Sequence, residues 1–121
     1  MTLINDLFEI MENSGNESSL TATIKLHPGH IIYKGHFPGH PVTPGVIQVQ
    51  IVQELLENQL KRKLNLIEMP DCKFLKVLNP AEVKQLTVSI EYAGKDDLLN
   101  VKAIGKNDSG IFFKLSAVYH K

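Results

Sequence analysis

From Val46 to Leu60 the apolar residues recur with helical period over about four turns, while most other apolar runs alternate with period two. This one stretch constrains the fold more than any other. A single long apolar helix set among strands implies an α+β domain whose sheet packs around that helix. With 121 residues, 43% of them hydrophobic, the chain reads as one domain, 1–121. Such a length buries roughly two-thirds of the surface the unfolded chain exposes, so a core needs no disulfide or metal staple.

The strand pattern is clear on both sides of the helix. Between Ser18 and Leu26, Leu20, Ala22, Ile24 and Leu26 share one side while Thr21, Thr23 and Lys25 share the other. After Pro70, strand-like segments run near Cys72 to Leu78, Lys84 to Ala93, Leu98 to Lys106 and Ile111 to Tyr119. Asn79-Pro80 separates the first pair, and Gly94–Asp97 and Asn107–Gly110 read as hairpin turns. At the N-terminus Leu3, Ile4, Leu7, Phe8 and Met11 are spaced like one helical face, which predicts a short amphipathic helix over residues 2 to 12.

Thirteen basic residues balance 13 acidic ones, which argues against a nucleic-acid footprint over the whole surface. The lone Cys72 excludes an internal disulfide and a Cys-rich zinc site, and reads as a buried structural thiol. MTLINDLFEIMENSG lacks the basic start and long apolar core of a secretory signal, and no run reaches the ~20 apolar residues of a membrane span. A soluble cytoplasmic protein with no membrane and no nucleic-acid partner is the expectation.

Chemistry concentrates where the chain enters the helix. The segment HPGHIIYKGHFPGHPVTP, His27 to Pro44, carries four of the five histidines and, apart from Ile31 to Tyr33, is irregular. Thr43-Pro44 offers a capping hydroxyl followed by proline at the first helical position. The first amides of the helix, at Gly45 and Val46, present unpaired N–H groups to a developing oxyanion or a phosphate, and glycine lets a ligand approach. A histidine just upstream suits a general base near neutral pH.

On the helix, Gln50, Glu54, Glu57 and Lys61 fall in one narrow arc and Ile51, Val52, Leu55 and Leu56 fill the rest. Glu57 and Lys61 read as a solvent stripe. Gln48 points into the apolar arc and needs hydrogen-bond partners there.

The segment GHFPGHPVTPGV, Gly35 to Val46, resembles the signature of β-hydroxyacyl-acyl carrier protein dehydratases, and the order and length of the remaining elements agree. The resemblance implies a hotdog fold, a curved antiparallel sheet wrapped around one central helix, with two subunits joining their sheets and sharing composite active sites. It also implies that His36 removes the α-proton of a 3-hydroxyacyl thioester and that the Gly45 amide receives the thioester oxygen. A carboxylate in the second helical turn, given by the other subunit, normally helps the β-hydroxyl leave. Here that position is Gln50, which cannot donate a proton with comparable acidity, while Glu54 lies one turn along the same face, about 5 Å away, as a compensating group. HFPGHPVTPGVIQVQ is further similar to the dehydratase-like proteins of aryl polyene-type clusters, where a second hotdog subunit can supply what one chain lacks.

Three functions stay open at this stage. The first is dehydration of a 3-hydroxyacyl thioester, through His36 with Gln50 or Glu54 assisting. The second is an acyl-binding subunit with little or no turnover of its own that completes a heterodimer instead of a homodimer. The third is an acyl thioesterase, since one fold hosts both chemistries. Acyl carrier protein bearing a phosphopantetheine-linked acyl chain is the implied partner, with no cofactor and no metal, as no Asp, Glu or Cys lies among His27, His30, His36 and His40. Tyr33 and Phe37, with Gly45 and Val46, line the acyl site or serve ordinary packing. The run Lys61-Arg62-Lys63, with Lys73 and Lys76, docks the acidic carrier or simply suits a helix C-terminus. His27 and His30 support the loop, and His40 and His120 are left without a catalytic role.

Overall fold

The computed structural model describes residues 2–35 and 41–121. Six strands form one antiparallel sheet: β1 (Phe8–Gly15), β2 (Ser19–Leu26), β3 (Asn65–Phe74), β4 (Gln85–Lys95), β5 (Leu98–Asn107) and β6 (Gly110–His120), in the order β1-β2-β4-β5-β6-β3. One 16-residue helix, α1 (Gly45–Leu60), and a 3-10 turn at Ile31–Lys34 lie between β2 and β3. The α+β expectation and the long helix are both met.

Alternation along the strands builds the core. Leu20, Ile90, Ala103 and Leu115 pair across β2, β4, β5 and β6 as one row, all buried, and Cys72 of β3 extends the row half-buried. Ile51, Val52, Leu55 and Leu56 of α1, each at most 1% exposed, belong to the same apolar cluster. In the neighbouring row Gly105 faces Phe113, and a Cβ there would collide with the Phe113 ring, so only glycine lets that ring lie flat across β5. The β4–β5 and β5–β6 connections are tight turns, closed by the pairs Lys95↔Leu98 and Asn107↔Gly110, with Asp96 (φ 56°) and Gly110 (φ 134°) in positive-φ conformations.

Four expectations are corrected. The N-terminal helix over residues 2 to 12 is absent: Leu7 N–H bonds the Leu3 carbonyl at 2.8 Å in a single turn with Asn5 left-handed, and the chain then runs into β1, with Phe8 opposite Leu26. Leu3, Leu7 and Phe8 are fully buried as a helical spacing requires, but Met11 is 47% exposed. Cross-strand pairing overrides a local period too short to hold a helix alone. The first strand after the helix occupies Asn65–Phe74, not Cys72 to Leu78. Pro70 inside it is tolerated because β3 is an edge strand and the pairing slips between Glu68 and Asp71. Thr43 does not cap α1; Pro44 takes the cap position without a side-chain bond. Cys72 is half-buried, not buried, with burial and then the Asp71 charge pushing its thiol pKa up.

Candidate active site

The start of α1 is built to be reachable. Helical bonding begins with Ile47 N–H and Gln48 N–H on the Pro44 carbonyl, at 3.0 and 3.1 Å. The Gly45 and Val46 amides therefore meet no protein acceptor among the described residues. Gly45 lies against the Phe74 ring, which a Cβ would approach to 2.7 Å. Val46 is 75% exposed at the tip. A cavity of about 340 Å³ opens beside them, lined by Pro44, Gly45, Gln48, Phe74, Val77 and Leu78 among others.

The loop entering the helix is anchored from below. The Tyr33 and Thr43 hydroxyls share a hydrogen bond of 2.9 Å, both residues buried, while Thr43 N–H bonds the Leu78 carbonyl at 2.8 Å. Burial pushes the Tyr33 phenol pKa up, with the Thr43 contact pulling more weakly the other way. His30 caps the 3-10 turn by accepting from Ile32 N–H on Nδ1 at 3.1 Å, which leaves Nε2–H to donate to Asp6 at 3.0 Å. His27 lies 3.9 Å from Glu9. His36, Phe37 and His40 fall outside the described residues.

Of the two side chains read as a solvent stripe, Lys61 faces solvent and Glu57 does not. Glu54 is 6% exposed and its carboxylate turns to the N-terminal segment, accepting from Leu3 N–H at 2.8 and 2.9 Å and from Ile4 N–H at 2.8 Å. Gln50 Nε2 donates to the same carboxylate at 2.9 Å. Glu57, half-buried instead of solvent-facing, accepts from Leu64 N–H at 2.8 Å and so ties α1 to the start of β3. Lys61 is exposed, as expected. Gln48 is buried, its Nε2 on the Thr43 carbonyl at 3.0 Å and its Oε1 without a partner among the described residues.

Lys61, Arg62 and Lys63 are exposed around a second hollow of about 390 Å³ that also includes Glu54 and Glu57. Lys76 does not join them: its Nζ bonds the Ser109 carbonyl at 2.8 Å and sits 5.4 Å over the Phe112 ring. A larger hollow of about 510 Å³ includes Ser19, Glu91, Lys102 and Ser116 and none of the sequence-derived site residues. Among the described residues no group of three metal-ligating side chains comes together, and no helix is long and apolar enough to cross a membrane.

Sequence reasoning missed the Tyr33–Thr43 pair, the Phe74 lid on Gly45 and the amides that hold Glu54. Only Phe74 had a local signal, as the one aromatic residue between the helix and Pro80.

A family model described as ApeI dehydratase, ApeI-like, matches residues 11–109. The FabZ 3-hydroxyacyl-[acyl-carrier-protein] dehydratase of Caldanaerobacter subterraneus subsp. tengcongensis is 32% identical over 81 residues, 61% of this chain and 57% of that one. FabZ of Lactobacillus helveticus is 28% identical over 95 residues, 73% and 64% of the two lengths, so the chain spans less than two-thirds of either curated relative. Among solved structures, the dehydratase heterocomplex ApeI:P from Xenorhabdus doucetiae superposes with a TM-score of 0.74 at 19% identity, covering 93% of this chain and 96% of that one. A hypothetical thioesterase with coenzyme A from Streptococcus pneumoniae superposes at 0.67 with 12% identity, covering 93% and 84%. These likenesses establish the hotdog fold, and the family match over residues 11–109 places the chain in the ApeI-like dehydratase family.

Proposed function

We propose that this chain dehydrates a 3-hydroxyacyl thioester, delivered on the phosphopantetheine of an acyl carrier protein, to the trans-2-enoyl thioester. The observation that carries the reading is the open start of α1, where the Gly45 amide, beside a lined cavity, meets no protein acceptor among the described residues. His36, in the loop that leads into it, takes the α-proton. Negative charge then builds on the thioester oxygen, where the Gly45 N–H and the positive end of the helix stabilise it. The C3–O bond breaks as the C2–C3 double bond forms, and the departing oxygen takes the proton now held by His36 and leaves as water. The acyl chain runs past Val46 and Phe37, with Tyr33 buried beneath as the support of the loop, and the exposed Lys61–Lys63 run draws the acidic carrier in, an attraction that rising salt weakens.

The active unit in this reading is a dimer joined through β3. That edge strand and the segment after it expose Leu66 (41%), Ile67 (53%), Phe74 (47%), Leu75 (52%) and Val77 (67%), an apolar run that a lone sheet edge seldom leaves bare. A second reading is favoured by one contact: Gln50 and Glu54 are bonded to each other. Neither then stands free as a general acid, and a heterodimer partner supplies the carboxylate. The similar ApeI:P dehydratase is itself a heterocomplex, consistent with this.

The test is incubation of purified protein with a 3-hydroxyacyl pantetheine thioester, following the enoyl product by mass and absorbance, with His36→Ala alongside. Enoyl formation that His36→Ala abolishes supports the dehydratase. Turnover only after adding a carboxylate-bearing hotdog partner supports the heterodimer. Free thiol without enoyl product points to thioester hydrolysis instead.

A further inference from the structure

The amide of Gln50 has two sides of opposite character, a donating NH2 and an accepting oxygen. Its neighbour decides which of them is offered. A carboxylate only accepts, so the side turned to Glu54 is Nε2, at 2.9 Å from Oε2. Glu54 in turn is pinned: its Oε1 accepts from the Leu3 and Ile4 amides at 2.8 Å each, and its Oε2 from Leu3 at 2.9 Å. With 6% of Glu54 exposed, swinging it away would strip two backbone amides of their acceptor in a nearly dry setting.

We propose that Glu54 is a positioning residue that commits one N–H of the Gln50 amide to its own carboxylate and so fixes the carbonyl oxygen on the side away from Glu54, where the site offers it as an acceptor to the 3-hydroxyl of a hydroxyacyl thioester. This rests on the dehydratase reading. An acceptor at this point takes the hydrogen bond from the hydroxyl proton and leaves a lone pair on the hydroxyl oxygen free. The proton that His36 removed from C2 can then be returned to that oxygen, and the atoms balance as enoyl thioester plus water. Glu54 takes part by orienting Gln50, without contact with the substrate, and residues 3–4 become part of the support of the site.

The experiment uses the full chain and two non-reacting ligands, the amide analogues of 3-hydroxybutyryl-pantetheine and butyryl-pantetheine, in which nitrogen replaces the thioester sulfur. Calorimetry on the wild type should show a preference of roughly 3- to 10-fold for the hydroxylated analogue, the value of one hydrogen bond. Glu54→Gln turns an NH2 toward Gln50 and calls its oxygen inward. It should erase that preference while leaving affinity for the butyryl analogue within about twofold, which a merely structural loss would not do. Gln50→Leu should do the same, and combining it with Glu54→Gln should add nothing. A Glu54→Gln protein that keeps the full preference overturns the proposal. So does a wild-type NMR spectrum in which the Gln50 side-chain NH2 exchanges and resonates like that of a solvent-exposed glutamine, a readout that needs no ligand. A wild type that binds neither analogue, while its Gln50 NH2 is held, overturns the dehydratase reading and with it the role assigned to Glu54.

Discussion

Gln50 and Glu54 are joined by a hydrogen bond of 2.9 Å one turn apart on α1, and the carboxylate of that pair is the acceptor for the backbone of Leu3 and Ile4. Where a lone carboxyl group is the expected feature of such a site, this chain carries an amide and a carboxylate acting as one unit. What happens at position 50 is therefore set by position 54 and, through it, by the N-terminal turn.

Introducing a second carboxyl group tests that unit. In Gln50→Glu two carboxyl groups face each other at hydrogen-bonding distance, and such a pair holds one shared proton to higher pH than either alone. The variant should dehydrate about 10²- to 10⁴-fold faster than wild type at and below neutral pH, the usual gain from a general acid. Its rate should fall as the shared proton is lost on raising pH. A pH–rate profile of Gln50→Glu beside Gln50→Glu/Glu54→Gln checks it, since the double variant should lose that falling limb or move it to lower pH.

Removing the acceptor should loosen the N-terminus. Glu54→Ala leaves the Leu3 and Ile4 amides without the partner that holds them at 2.8 Å, at a cost of about 2–4 kcal/mol in urea denaturation. Glu54→Gln keeps one accepting oxygen and should cost less than half as much. Hydrogen exchange at Leu3 and Ile4 should speed up most of all amides in both.

At Gly45 the effects on fold and activity should separate. An added Cβ meets the Phe74 ring at 2.7 Å, yet the clash is with the far end of a side chain that is 47% exposed in the single chain and can yield by rotation. Gly45→Ala should therefore cost only about 1 kcal/mol of stability. The displaced ring and the new methyl crowd the amide proposed to face the oxyanion, so turnover should drop at least tenfold, in kcat more than in KM. Thermal unfolding and steady-state kinetics on the same preparation check both halves.

Tyr119 predicts an alkaline weakness. Its phenol is fully buried with no hydrogen-bond partner among the described residues, and its pKa is pushed up to about 12 by burial and secondarily by the Glu57 charge. The folded state thus holds this proton more tightly than the unfolded chain, whose tyrosines titrate near 10. Stability from this group is complete below pH ~10 and is lost as pH rises toward ~12, by on the order of 2 kcal/mol. Tyr119→Phe should be at least as stable as wild type at neutral pH and should show a shallower loss between pH 9.5 and 11.5 in urea titrations.

Charge on the free edge should separate subunits. Ile67→Lys adds a cation to an exposed apolar strand, a device that blocks edge pairing. Sedimentation should shift toward the monomer while circular dichroism stays unchanged, because Ile67 is 53% exposed in the single chain.

Much of the fold was legible because side-chain period is a property of the backbone itself. Alternation gave away β2, β4, β5 and β6, and the helical run gave away α1 to within a residue of its start. The same reasoning failed at residues 2–12, where one buried turn and the head of an edge strand imitate a helical spacing, and at β3, where an exposed edge with a proline carries no clean alternation. Around the candidate site, the loop before α1 and the amides at Gly45 and Val46 could be named from order alone, because a helix N-terminus has unpaired N–H groups wherever it occurs. The tertiary structure decided what each polar group on α1 faces. Glu54 finds its acceptor role 51 residues away in sequence, at Leu3, and Thr43 gives its hydroxyl to Tyr33 instead of to the helix. A hydrogen bond depends on position in space, which local spacing along a chain does not contain, so the pattern of residues settled α1 and the strands with clean alternation, and only packing settled the two edge strands and the orientation of Gln50.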